Sequence, residues 1–211
     1  MKLAIFGGTG KNGRALVDLA LTQGHTVRAL ARTPLALVQR AGLTVAEGSA
    51  SVKSAVAETV SGCDAAISLL GSFDRKPNTE ISNATRTICA VLSEHGPRRL
   101  SVVTTIGTGD SFVHLRSIPF KLFIRLVAKE TWRDRECQET VVRQSALKWT
   151  VIRPGGLTDR AATGRWTLIG SGEPQPKRVS IARADLAAAL LPMVTDTAIV
   201  GQTRRIFTDA T

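Results

Sequence analysis
The sequence predicts a three-layer α/β/α fold around a doubly wound parallel sheet, and three observations carry that prediction. Short apolar runs alternate with helical patterns from end to end. Most of those runs are apolar on both faces, as strands covered by helices on both sides must be. The first run leads straight into a glycine-rich turn that opens a helix.

Lys2–Phe6 reads as the first strand and Lys11–Gln23 as a helix with Leu16, Leu19 and Ala20 on one face. His25–Ala31 is the second strand. Thr33 is placed to cap, and Pro34 to start, a further helix. Leu43–Ala46 is a short strand, Val52–Val60 a helix, and Ala65–Leu69 the fourth strand. Thr79–Glu94 is a helix closed by His95, Gly96 and Pro97, and Arg99–Val103 the fifth strand. One long helical stretch is expected from about Pro119 to Gln144, followed by a sixth strand at Trp149–Arg153. A Gly/Pro-rich excursion begins at Gly155, extends to about residue 180, and holds a small strand at Trp166–Ile169. Ile181–Thr195 is the last helix, bent at Pro192, and Thr203–Phe207 the last strand. With no internal repeat and no linker, residues 1–211 read as one domain.

The turn after the first strand is Gly7-Gly8-Thr9-Gly10-Lys11-Asn12-Gly13, and Gly8, Gly10 and Gly13 satisfy G-x-G-x-x-G. Glycines there let backbone turn tightly and approach a pyrophosphate, while the following helix offers free N–H groups and its positive dipole end. Strand, glycine turn and helix at the start of a βαβ unit are the context that gives the motif meaning. The fold is therefore read as Rossmann-type, and its ligand as a nicotinamide dinucleotide. NAD sites place an acid about 20 residues on, to hold the ribose 2′-hydroxyl. No Asp or Glu occurs between Leu19 and Ala46; Arg28, Arg32 and Arg40 do. Arg32, just past the second strand, suits a 2′-phosphate, so NADPH (NADP) is the expected cofactor. Arg28 and Arg40 are read as solvated or structural.

Ligands in such folds lie at the carboxyl ends of strands. Leu70-Gly71-Ser72, Thr104-Thr105-Ile106-Gly107 and Arg153-Pro154-Gly155-Gly156-Leu157 are the loops expected there, with Gly71 letting backbone pass close to a ribose.

Composition narrows the chemistry. The net charge is +11, but the basic residues are scattered and no aromatic-interleaved basic run appears. The charge is accordingly read as a solubility property rather than a nucleic-acid footprint. Cys63, Cys89 and Cys137 form no C-x-x-C pair, and the three histidines lie far apart, so no metal site and a reducing cytoplasm are expected. No run reaches the roughly 18 unbroken apolar residues of a membrane span. The helix around Ile118–Val127, though apolar, is read as burying its face. Asp134, Glu136 and Glu139 with Arg133 and Arg135 are read as a solvated, salt-bridged helix face. Trp132 and Trp149 are assigned to the core, and Trp166 lies near the expected pocket.

Taken together, the GGTGKNG loop, Ala31-Arg32, Leu69-Leu70-Gly71, Val102–Gly107, Ser145–Thr150 and Ile152–Asp159 resemble the atypical short-chain dehydrogenase/reductase superfamily. Within it the chain is similar to the NmrA-like NAD(P)-binding group that includes flavin reductase/biliverdin-IXβ reductase. The resemblance implies that Gly7, Thr9, Gly10, Lys11 and Asn12 wrap the diphosphate and that Arg32 holds the 2′-phosphate. It implies that Leu70 and Gly71 line the ribose, that Thr104 and Thr105 sit beside the nicotinamide, and that Pro154, Gly155, Gly156 and Leu157 cover its carboxamide side. Two departures stand out. Gly48-Ser49 replaces the Gly-Asp often found near adenine, and Arg135 occupies the place of a cofactor-facing Lys.

The chain contains no Tyr. The Y-x-x-x-K proton donor of standard short-chain dehydrogenases is thereby excluded. Flavins, tetrapyrroles and quinones accept hydride at an electrophilic atom and take a proton from solvent, leaving binding and alignment to the protein. The expected activity is an NADPH-dependent reductase of such an acceptor, with Thr105 orienting the acceptor or a water. The alternative is a non-enzymatic NADP(H)-binding redox sensor that acts through a protein partner.

Overall fold
A computed structural model describes residues 1–72, 78–170, 173–177 and 179–209. Ser171, Gly172 and Arg178, part of the expected excursion, lie outside the described residues. The strands are β1 (Lys2–Phe6), β2 (Thr26–Ala31), β3 (Leu43–Glu47), β4 (Ala65–Ser68) and β5 (Arg99–Val103). They continue with β6 (Lys148–Pro154), β7 (Gly156–Thr158), β8 (Trp166–Gly170), β9 (Ser180–Ala182) and β10 (Gln202–Thr208). The helices are α1 (Lys11–Thr22), α2 (Lys53–Val60), α3 (Glu80–His95), α4 (Ile118–Leu126), α5 (Lys129–Gln144) and α6 (Arg183–Met193).

The main sheet has the order β3-β2-β1-β4-β5-β6-β10-β8. Every neighbouring pair is parallel except β10 with the edge strand β8. This is the predicted doubly wound Rossmann-type sheet with an antiparallel edge. Alternation within strands builds the layers. Leu3 and Ile5 of β1 join Leu16, Val17 and Ala20 of α1 and Leu186 and Leu190 of α6 on one face. Ala4 and Phe6 join Val56 of α2, Ile88 and Leu92 of α3 and Val142 of α5 on the other. The chain reverses direction across the sheet between β1 and β4, which opens a crevice at their carboxyl ends.

Four expectations are corrected. The helix after Thr33 is a single 3₁₀ turn, Pro34–Ala36, without a side-chain cap, because Leu37 turns extended and is buried in the core. The long helical stretch is two helices, α4 and α5. At the break the N–H groups of Val127 and Ala128 both donate to the Phe123 carbonyl, and the buried Ala128 starts the second helix. Residues 180–182, of which Ile181 and Ala182 were assigned to the last helix, instead form β9 and pair with β7. Finally, α4 does not bury its apolar face: of its residues only Ile124 is buried, while Ile118, Leu122 and Leu126 are exposed.

Candidate functional site
The crevice between β1 and β4 is a cleft of about 200 Å³ whose lining includes Gly7, Thr9, Gly10, Arg32, Ser49, Leu70 and Gly71. Seven of the residues singled out from the sequence thus meet in one place. Gly7 has φ +82°, and a Cβ there would lie 2.8 Å from the Leu69 carbonyl group. The β1 and β4 loops therefore touch backbone to backbone. Gly8 and Gly13 are not among the lining residues. A Cβ on Gly13 would fall 2.1 Å from the Gly7 oxygen, so Gly13 serves close packing behind the loop, whereas a Cβ on Gly8 would make only ordinary contact with Ala29.

These residues fit the diphosphate of a dinucleotide. Gly10 precedes α1 with no side-chain cap, and no acidic residue lies in its first turn. The first N–H groups of the helix and its positive end are left to an anion. Asn12 Oδ1 is buried beside the same turn without a hydrogen-bond partner, and the amide NH2 of that side chain is the group able to donate to a phosphate. Lys11 is exposed and pairs with Asp159 at 3.2 Å; Asp159 also pairs with Arg183 at 3.0 Å. The end of the Pro154–Asp159 segment is thereby tied to the glycine loop.

Arg32 stands at the rim, largely exposed, 3.5 Å from Glu80 Oε1. Glu80 is a residue that sequence reasoning missed. It lies far along the chain, on α3, and only the topology brings it to the end of β2.

Arg135 is placed differently from the expectation. It is buried and absent from the cleft lining. Its Nη1 donates to the Leu70 carbonyl at 2.7 Å and to Gln138 Oε1 at 2.9 Å. A Cβ on Gly71 would lie 2.7 Å from Arg135 Nη2. Arg135 therefore clamps the β4 loop from behind, and Gly71 makes room for the clamp. Burial lowers its pKa, against the pull of Asp134 and Glu139.

The supposedly solvated acids of α5 are the largest surprise. Asp134 and Glu139 are buried. Asp134 accepts the N–H groups of Ile81 and Ser82 at 3.1 Å each, in the first turn of α3. Glu139 Oε1 accepts from Thr104 Oγ1 at 2.8 Å and from Arg153 Nε at 2.9 Å. Its Oε2 accepts from Arg153 Nη2 at 2.6 Å and from Arg143. Arg153 is fully buried and also reaches Asp110. Burial would lower the Arg153 pKa, but Glu139 and Asp110 more than offset it, so the guanidinium is held charged. A signal was present in the sequence. Asp134, Arg135, Gln138 and Glu139 share helical spacing with Val142, the core residue of α5, so the polar stripe faces inward.

Thr104 is buried and its hydroxyl is committed to Glu139, whereas Thr105 beside it is half-buried. The β5 and β6 loops run together, with Thr104 N–H donating to Ile152 O at 2.9 Å and Ile106 N–H to Pro154 O at 3.2 Å. Gly155 packs too closely for any side chain: a Cβ would lie 2.5 Å from the Val179 oxygen. Gly156 and Leu157 pair with Ser180 and Ile181 in the small β7–β9 sheet. Thr104, Thr105 and Pro154–Leu157 do not line the first cleft. Of these, Gly156 lines a second cleft of about 620 Å³, together with Ile106 next to Thr105, with Leu115, Phe120 and Val179 as apolar walls and Arg116 and Lys177 at its polar side. Trp132 is half-buried and donates its indole N–H to Ile106 O at 3.2 Å; Trp149 and Trp166 are also half-buried against the core.

Comparison with known proteins gives the family and agrees with the fold. The NAD(P)H-binding family model matches residues 7–197, and the chain belongs to that family. An oxidoreductase of the fungus Pestalotiopsis microspora is 27% identical, the match covering 92% of this chain and 79% of that one. Among solved structures, the anaerobillin reductase ChuY of Escherichia coli O157:H7 superposes with TM-score 0.82 at 28% identity, covering 100% of this chain and 98% of that one. A short-chain dehydrogenase/reductase of Veillonella parvula in complex with NADP superposes with TM-score 0.81 at 19% identity, covering 100% and 95%, which is a likeness of fold. No helix among the described residues is long and apolar enough to cross a membrane.

Proposed function
We propose that the protein is an NADPH-dependent reductase that passes hydride to a flavin-like, tetrapyrrole or quinone acceptor without a catalytic Tyr. The observation that carries this is a cleft at the glycine loop and a second, larger and mostly apolar cleft lined by Ile106 and Gly156 of the β5 and β6 loops, in a chain that lacks Tyr. The chain is an NAD(P)H-dependent oxidoreductase, in keeping with its family and its similarity to an oxidoreductase and an anaerobillin reductase. Bound nicotinamide dinucleotide supplies the hydride. The residues of the chain bind and align. Gly7, Thr9, Gly10 and Asn12 cradle the diphosphate, Ser49 lies on the adenine side, and Leu70 and Gly71 face the ribose. Arg32 exchanges Glu80 for the 2′-phosphate. Thr105, next to the fixed Thr104, orients the acceptor or a water, while Pro154–Leu157 cover the carboxamide side of the nicotinamide. The buried Glu139–Arg153 pair holds the end of β6 just before that segment, and such fixed positioning is how a binding site converts alignment into rate.

The test is an acceptor panel. Purified protein should oxidise NADPH with FMN, riboflavin or a short-chain quinone and leave simple ketones untouched. Turnover of ketones with none of those acceptors reduced would overturn the reading.

A further inference from the structure
The segment from Ser111 to Lys129 contains no acidic residue, and it carries Arg116, Lys121, Arg125 and Lys129. Helix α4 lies within it, started by Ser117, whose hydroxyl accepts the Phe120 N–H at 3.2 Å. Around the helix, Phe120, Ile124 and Val127 turn toward the protein, and Phe120 meets Trp132 edge-on. On the opposite side Ile118, Leu122 and Leu126, four residues apart, form a stripe that is 77%, 55% and 73% exposed. Phe123 flanks the stripe on one side. Lys121 and Arg125 flank it on the other and lean over the Phe112 ring, 5.9 and 5.1 Å from its centre. Val113, exposed in the preceding loop, extends the apolar surface.

An aliphatic stripe whose flanking charges are both cations has the two features that an anionic bilayer surface recognises. Apolar side chains enter the acyl boundary, and Lys and Arg meet the headgroup phosphates. A protein partner of matching shape would have to present an apolar groove lined with acids; a second copy of this chain would bring +11 against +11. We infer that α4 and its preceding loop form a peripheral docking surface for anionic lipid. Arg116, Ser117 and Phe120 also line the second cleft, so the docked protein would hold the mouth of that cleft close to the bilayer. The inference on docking stands apart from the proposed reductase activity.

Sedimentation with vesicles tests it. Full-length protein should co-sediment with vesicles of phosphatidylcholine mixed with phosphatidylglycerol, not with phosphatidylcholine alone, and added salt should weaken the binding. Leu122→Ser with Leu126→Ser, and separately Lys121→Gln with Arg125→Gln, should each weaken it roughly tenfold or more. NADPH affinity, measured in the same samples, should stay at the unaltered protein's level and so certify the fold. Equal sedimentation with both vesicle types, or none with either, would overturn the proposal. So would light scattering that shows a dimer abolished by the Leu122→Ser, Leu126→Ser change in protein that ignores vesicles.

Discussion
The two ends of the candidate site are built on opposite plans. The glycine-loop end is backbone: close-packed glycines, an uncapped helix start, and ion pairs such as Arg32–Glu80 and Lys11–Asp159 that stand in solvent. The β5–β6 end is side chain: one buried carboxylate, Glu139, with Arg153 and Thr104 closed around it. The difference teaches where binding and where rigidity come from. Exposed pairs cost little to break and can yield to a ligand. A buried pair cannot be opened cheaply, because the remaining charge would be stranded.

Removing Glu139 breaks the second plan outright. Glu139→Gln should cost about 3–5 kcal/mol, read from urea denaturation, because Arg153 keeps its charge in the interior. Changing Arg153 to Met together with Glu139→Met should recover a large part of that loss. A cost near that of an exposed pair would erase the contrast between the ends.

Helix α3 joins the two ends, since Glu80 faces the cleft and Asp134 caps its first turn. Cys89 on its inner face has its pKa pushed up to about 11, from 9.0, by burial, against a hydrogen bond with Ser145. Below the unfolded value the thiol is neutral in both states. As pH rises from about 9 to 11, the unfolded chain releases the proton and the folded chain keeps it, so stability falls. The loss should approach about 2–3 kcal/mol across that window and be much reduced in Cys89→Ala, where Cys63, whose pKa burial also raises, still contributes. No Tyr titrates to obscure it.

The smallest effect belongs to the exposed pair. Glu80→Gln frees Arg32 and should tighten NADPH by no more than about fivefold, corresponding to under about 1 kcal/mol, with stability unchanged. A weaker NADPH complex in that variant would make Glu80 a ligand of the ribose rather than a competitor for Arg32.

Local signals were legible in the sequence. β1, the glycine turn, α1 and the alternation of strands with helices follow from short runs apolar on both faces and from helical patterns with their punctuating glycines. The convergence of Gly7, Arg32, Ser49 and Gly71 also follows once the sheet order is known, because all sit at strand ends. Non-local arrangements were not legible. Glu80 reaches Arg32 through the β1–β4 reversal, and charge alone made Asp134 and Glu139 look solvated although their spacing with Val142 pointed inward. Arg135 was assigned to the cofactor by position; its hydrogen bond to Leu70 O is what the fold adds. The α4–α5 break has no Pro or Gly to announce it, and the apolar stripe of α4 reads the same whether buried or bare.

The most direct measurement is steady-state oxidation of NADPH and of NADH, with FMN as acceptor, by the unaltered protein and by Arg32→Ala. The account predicts turnover with a clear NADPH preference. Arg32→Ala should raise the KM for NADPH roughly tenfold to a hundredfold, since charge-assisted hydrogen bonds to the 2′-phosphate are lost, and leave NADH nearly unchanged. Tight NADPH binding with no turnover on FMN, riboflavin or quinone would contradict it and leave a sensor of NADP(H) state in its place.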